Sequence, residues 1–217
     1  MSVVLLVRHG QASFGTDDYD RLSARGEAQS RTLGVELRER RIEPARIVTG
    51  CMRRQRETAL QLIAGAAWDA QPDVDTGWDE FDASSLIAAS ADEEENSGTD
   101  PRAFQRLLER ASTRWASGEH DADYAETFSA FQARVAAALD RVVDGLGSGQ
   151  TAVVVSSAGA IAWVASQLIG GDFSQWLVLN RVAVNSGVTK LVVGASGTSL
   201  VGFNDHCHLA HPDVTYR

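Results

Sequence analysis

Apolar residues along this chain fall into two patterns. Short continuous runs of strand length occupy 3–7, 47–49 and 151–155. Polar or Gly-containing stretches flank them, as expected of strands buried on both faces. Elsewhere apolar positions recur at helical spacing. Ser23 is placed to cap a helix reaching to about residue 40, with Ala28, Leu33 and Leu37 on its apolar side. A turn at 50–52 opens a second helix that ends near Gly65, and residues 72–82 predict a brief strand and then a loop anchored by Trp78 and Phe81. Asp100-Pro101 has the form of an N-cap followed by Pro at the first helical position. Phe104, Leu107, Leu108, Ala111 and Trp115 continue that helix.

After a polar break at 118–125, a longer helix carries Phe128, Phe131, Val135, Leu139, Val142 and Leu146 on one face, with Gly147 as its C′ residue. The run 151–155 leads into a helix over 160–169, stopped by Gly170-Gly171, and Asp172 caps a short helix bearing Phe173, Trp176 and Leu177. Two last apolar runs, 187–193 and 198–203, are separated by 194–197, read as a four-residue hairpin loop joining antiparallel strands. Together the elements predict an α/β fold: a three-layer sandwich with a mostly parallel central sheet, helices on both faces and one antiparallel edge hairpin. The composition shifts at 88–100, which is acidic and poor in large apolar side chains, so an inserted or flexible segment is expected there.

Bulk properties narrow the function. A chain of 217 residues fits one large domain, and a net charge of -9 argues against general binding to nucleic acid or to an anionic membrane surface. The two cysteines, Cys51 and Cys207, make neither a disulfide framework nor a CxxC pair. They fit a reducing compartment, and with no basic n-region before the first apolar run a cytoplasmic location is expected. His206, His208 and His211 crowd the tail, but alternating residues of an extended segment do not converge and no acidic cluster accompanies them, so no metal site is expected.

Chemistry concentrates where apolar runs end. The first run stops at Arg8-His9-Gly10, and ligands of open α/β sheets bind outside the carboxyl ends of the strands. Taken alone, the tripeptide reads equally well as a surface loop and as a site. The second short run passes into Thr49-Gly50-Cys51-Met52-Arg53-Arg54-Gln55-Arg56-Glu57-Thr58-Ala59, where two of the three arginines are expected on a solvated helix face. Residues 78–82 read Trp-Asp-Glu-Phe-Asp, and the strand at 151–155 continues into Ser156-Ser157-Ala158-Gly159.

These four stretches, in this order, resemble the histidine phosphatase superfamily, which includes the cofactor-dependent phosphoglycerate mutases. Arg8-His9-Gly10 matches the signature tripeptide. The stretch 49–59 resembles the block Ser-Ser-Pro-Leu-x-Arg-Ala-x-x-Thr-Ala, which places a phosphate-binding arginine at Arg54. The stretch 78–82 resembles the segment that supplies the acidic proton donor, at Glu80. The stretch 153–161 resembles Val-Ser-His-Gly-Gly-Val-Ile, which sets Ser157 where the family carries a second histidine. The likeness spans nearly the whole chain and implies a single domain over 1–217, with a variable cap insertion near 83–125.

The resemblance implies a metal-independent phosphatase without a cofactor, acting on a small phosphorylated substrate. His9 would accept the phosphoryl group, Arg8 and Arg54 would clamp it, and Glu80 would serve as acid and then base. Ser157 would be a further phosphate ligand, and Gln11 and Ser13 would touch the substrate. The chemistry is coherent: phosphoryl transfer is mostly positioning and charge stabilisation, which two guanidinium forks provide. An imidazole with an ordinary pKa of about 6.5 is available unprotonated at neutral pH. Two departures stand out. Ser157 brings no charge and a shorter reach than histidine, and losing one such donor costs about 10²–10³ in rate. Gly50-Cys51 replaces Ser-Pro. A slow phosphatase is therefore expected; a phosphoglycerate-mutase-type phosphotransferase and a low-activity phosphate-ligand binding protein are the alternatives.

Overall fold

The computed structural model describes residues 1–13, 19–90 and 101–216, without the side chains at 101, 102 and 104. The expected acidic stretch beyond residue 90, the cap at Asp100, the apolar contact of Phe104 and part of the loop after Ser13 lie outside the described residues. The chain divides into two compact units, Met1–Glu80 with Val135–Arg217, and Phe81–Arg134.

The larger unit holds a six-stranded sheet in the order β3-β2-β4-β1-β5-β6. Its strands are β1 (Ser2–Arg8), β2 (Arg46–Thr49), β3 (Asp73–Val74), β4 (Thr151–Ser156), β5 (Val188–Gly194) and β6 (Gly197–Asp205). The pairs β3·β2, β2·β4 and β4·β1 are parallel, whereas β5 runs antiparallel to both β1 and β6. The expected mostly parallel sheet with an edge hairpin is therefore present. Helices α1 (Ala24–Glu39) and α2 (Arg53–Ala66) pack Leu33, Leu37, Ala59 and Leu62 against Leu5, Val7, Val153 and Val155. Because side chains alternate across a strand, Val4, Leu6, Ala152 and Val154 face the other way, and all are fully buried. That side is served by α6 (Ala158–Leu168), whose first nine residues are buried, and α7 (Phe173–Val182) is tied to it through Trp176 Nε1 donating to Gly159 O at 2.9 Å. Asp172 caps α7 as predicted, in a reciprocal box with Gln175.

Three local expectations are corrected. Ala28 is exposed, and Gln29 and Ser30 take the buried side of α1 instead. Gln29 is buried because its amide is fully used: it accepts from Gln11 N and donates to Asp213 O and Thr215 Oγ1 at 2.7–2.9 Å. The last hairpin is tighter than a four-residue loop, because Gly194 pairs with Gly197 and only Ala195 and Ser196 form the turn. Gly197 takes φ +107, a conformation open to glycine. Finally, α5 (Phe128–Asp144) ends before Gly147, whose N–H is satisfied by Gln150 Oε1 at 2.7 Å in a separate turn.

The smaller unit contains α3 (Ala83–Ser90), α4 (Pro101–Ala116) and the start of α5. Its apolar centre is aromatic. Trp115 lies 5.4 Å from Phe81 and 4.9 Å from Phe128, and Phe81 meets Phe131 edge-on at 5.8 Å. The indole N–H of Trp115 reaches Glu126 O at 2.7 Å.

The tail carries a pH-dependent contribution to stability. Burial lowers the His208 imidazole from its ordinary 6.5 to about 4. The folded state thus holds it neutral where the unfolded chain protonates it. Its contribution is complete above pH 6.5 and is lost as pH falls toward 4, by up to about 3 kcal/mol. Denaturant unfolding from pH 7 to pH 4 is expected to show that decline, to which the buried His9 adds in the same direction, and His208→Gln is expected to make it shallower. An identical slope in the variant would remove His208 from the account.

Candidate active site

Four strand ends meet on one side of the sheet. Arg8 pairs in register with Ser156, Thr49 with Val155, and Val74 with Thr49. Because these strands are parallel, the segments that leave them all emerge at the same, carboxyl-terminal edge: Arg8-His9-Gly10 from β1, the start of α2 from β2, Trp78-Asp79-Glu80 beyond β3, and Ser157 from β4. The topology thus brings into one region the four stretches that lie far apart in sequence.

His9 is 5% exposed. Its N–H donates to Ser156 O at 2.9 Å, and its carbonyl accepts from Asn185 Nδ2 at 3.2 Å, so the backbone on either side of the ring is pinned. The ring is oriented too. Nδ1 lies 2.8 Å from Gly10 O, an atom that only accepts, so Nδ1 carries the proton. Nε2 then presents a lone pair, and Arg54 Nε donates to it at 3.2 Å. Burial, then the Arg54 charge, then the Arg8 charge hold the imidazole well below its usual pKa, against a smaller opposing effect of the Gly10 carbonyl. The result is a neutral, oriented imidazole whose Nε2 faces a guanidinium.

The turn after His9 requires glycine. A Cβ on Gly10 would sit 2.4 Å from Gly26 O, and one on Gly26 would sit 2.1 Å from Gln11 O. The loop therefore lies directly on the first turn of α1. Gly10 N–H donates to Thr58 Oγ1 at 2.9 Å, and that hydroxyl donates to Arg54 O at 2.8 Å, which joins the loop to α2.

Arg54 is 8% exposed, whereas Arg53 and Arg56 are exposed, as expected of two of the three. Besides His9, the Arg54 fork reaches Asp20: Nη1 lies 2.6 Å from Asp20 Oδ1, and the guanidinium carbon lies 5.7 Å from the centre of the Tyr19 ring. The other oxygen of Asp20 accepts from Arg53 N at 2.8 Å, supplying the cap that Met52 cannot give to α2.

The remaining predicted residues are placed as follows. Arg8 donates through Nη1 to Ala183 O and to Tyr216 O, the latter at 3.0 Å. Gln11 accepts from Ser23 Oγ at 3.0 Å, and Ser13 N–H donates to Arg21 O at 2.8 Å. Glu80 Oε2 accepts from Gly159 N at 2.8 Å, at the positive end of α6. Ser157 is fully buried, and its Oγ accepts from Gln55 Nε2 at 2.9 Å. Direct side-chain contact therefore joins His9 to Arg54, while Glu80 and Ser157 share the start of α6. Asp20, Gln55, Thr58 and Asn185 were not singled out from sequence; Thr58 alone had a signal, as the threonine of the Arg54 block. Among the described residues, no three His, Cys, Asp or Glu side chains form a group able to hold a metal ion, and no helix is long and apolar enough to cross a membrane.

Comparison with known proteins shows the family and the fold. The family model of the histidine phosphatase superfamily (branch 1) matches residues 4–206. No match was found among curated proteins. Several solved structures share the fold. A phosphoserine phosphatase mutant from Entamoeba histolytica, in complex with phosphoserine, aligns with TM-score 0.67 and 18% identity over 97% of this chain and 100% of that one. A phosphoglycerate mutase from Bacillus anthracis aligns with TM-score 0.66 and 18% identity over 95% and 94%. A mycobacterial glucosyl-3-phosphoglycerate phosphatase aligns with TM-score 0.63 and 21% identity over 93% and 98%. With the match covering almost its whole length, the chain belongs to the histidine phosphatase superfamily, branch 1.

Proposed function

We propose that this protein is a metal-independent phosphomonoesterase that works through a phosphohistidine at His9. The observation that carries the reading is the orientation of His9: Nδ1 is tied to Gly10 O at 2.8 Å, and Nε2 faces Arg54 Nε at 3.2 Å. A phosphoryl group arriving at Nε2 would take over the Arg54 donor through its oxygens. Nε2 would attack phosphorus in line, the bond to the leaving alkoxide would break, and Glu80 would deliver a proton to that oxygen. Water, deprotonated by Glu80, would then attack phosphorus and release inorganic phosphate, returning His9 to its neutral state. The charge of Arg8 and Arg54 serves where other phosphatases use metal ions. Gln11 and Ser13 lie in the loop that follows His9, where they would contact the substrate. The segment near 83–125 would act as a cap and select the substrate.

A panel of phosphomonoesters tests the reading. It should include an aryl phosphate, phosphoserine, 3-phosphoglycerate and glucosyl-3-phosphoglycerate, the last three being small phosphorylated compounds of the kind named for the structural neighbours. Release of phosphate that persists in a chelator is the expected result. Conversion of 3- to 2-phosphoglycerate faster than hydrolysis would replace the reading with a phosphotransferase. Saturable phosphate binding without turnover on any substrate would replace it with a binding protein, an alternative favoured by one feature, the uncharged Ser157.

A further inference from the structure

Three positions that depart from the family blocks meet in space. Gln55 stands where the Arg54 block has alanine, Gly50 where it has serine, and Ser157 where the later block has histidine. Gln55 is fully buried, and its Nε2 donates to Ser157 Oγ at 2.9 Å and to Trp78 O at 3.1 Å. The Trp78 carbonyl fixes which end of the amide is which, since the opposite orientation would set two oxygens against each other. Gln55 Oε1 lies so close to Gly50 that a Cβ there would sit 2.0 Å from it. The glutamine therefore fits only over a glycine and ends on the serine.

The hydroxyl of Ser157 is freed from the duty its position would normally assign. Ser157 is the N-cap of α6, yet its side chain makes no capping bond. The N–H at the second helical position, that of Gly159, goes to Glu80 Oε2 instead. Because Gln55 is the donor in their shared hydrogen bond, Ser157 Oγ is held as an acceptor and keeps its own hydrogen to donate.

We propose that Gln55 is a positioning residue: it locks Ser157 Oγ so that the hydroxyl donates to a phosphoryl oxygen, and the two side chains together occupy the room of one histidine. The proposal rests on the phosphatase reading above. It makes the two positions interdependent. Gln55→Met, which fills the space but cannot donate, lets the Ser157 hydroxyl turn and is expected to lower kcat about 10- to 100-fold with a smaller change in KM. Ser157→His alone meets Gln55 in closed space and is expected to lose about 10²-fold. Ser157→His combined with Gln55→Ala reopens that space and is expected to restore kcat to at least the wild-type value.

The test is a double-mutant cycle over wild type, Gln55→Ala, Ser157→His and the double variant, with Gln55→Met beside it, assayed with p-nitrophenyl phosphate and accompanied by orthovanadate titration and thermal melting. A fall for Gln55→Met in kcat and in vanadate affinity, at an unchanged melting temperature, together with rescue in the double variant, supports the proposal. Wild-type kcat in Gln55→Met overturns it, as does a fully active Ser157→His single variant that the second change does not improve. If Ser157→His fails to fold, Gln55→Met alone decides by the same criterion. A wild-type protein that neither turns over nor binds vanadate overturns the phosphatase reading and this proposal with it; an active wild type with no coupling between the two positions overturns this proposal alone.

Discussion

Replacing His9 with alanine is expected to abolish phosphomonoester hydrolysis, with kcat down by roughly 10⁴-fold or more, the scale of losing a nucleophile. The size follows from how much of the site the ring provides. Its Nε2 is the proposed point of attack, and no other histidine is among the residues that the four strand ends bring to this region. The fold should survive, because the bonds that hold this loop run through the backbone of His9 and Gly10, to Ser156 O, Asn185 Nδ2 and Thr58 Oγ1. Steady-state assays on an aryl phosphate check the rate, and circular dichroism checks the fold. His120→Ala, at an exposed position remote in sequence from every site residue, is the matched control and should leave kcat unchanged. Equal activity in wild type and His9→Ala would end the phosphohistidine account.

Loss of Arg54 has the second largest expected effect. Arg54→Ala should lower kcat/KM by roughly 10³-fold, the scale of removing an arginine from a phosphoryl-transfer site. It should also move the acid limb of the pH profile. Arg54 is the largest charge effect lowering the His9 pKa, so its removal raises that pKa, and activity is then lost at a higher pH as the solution is acidified. Arg54→Lys should recover little. A single ammonium cannot hold both the His9 Nε2 contact at 3.2 Å and the Asp20 contact at 2.6 Å in a planar fork. Arg56→Ala, on the exposed side of the same helix, should change neither quantity; an equal loss there would show that the effect is general charge and not the fork.

Much of the frame could be read from residue order because burial leaves a one-dimensional trace. The runs at 3–7 and 151–155 are continuous because those strands are covered on both faces, and they proved to be neighbours in the sheet. Asp172 declared α7 by its cap. The errors arose where a polar side chain does a core residue's work. Gln29 is buried through three hydrogen bonds to remote groups, and nothing in its local spacing separates it from a surface glutamine. The site divides along the same line. Arg8, His9 and Arg54 stand at the ends of apolar runs, where chemistry has a sequence signal. Gln55 has none. Its partners Trp78 and Ser157 lie 23 and 102 residues away, and only the sheet order brings them to it. Asp20 is likewise one of several acidic residues in a polar loop until Arg54 is placed beside it.

Ser157 thus acquires a different meaning. As a letter in a motif it is a lost histidine. In the structure it is one half of a buried pair whose other half, Gln55, donates to its hydroxyl, while Glu80 accepts the N–H at the start of α6 that the Ser157 side chain leaves uncapped.

A covalent phosphohistidine can be trapped. The protein is mixed with a ³²P-labelled phosphomonoester, quenched within the first turnovers and mapped by peptide mass spectrometry under alkaline conditions. The expected label is stable to base, labile to acid, located on His9 and absent from His9→Ala. Hydrolysis that proceeds with no protein-bound label, or with the label on any other residue, would contradict it.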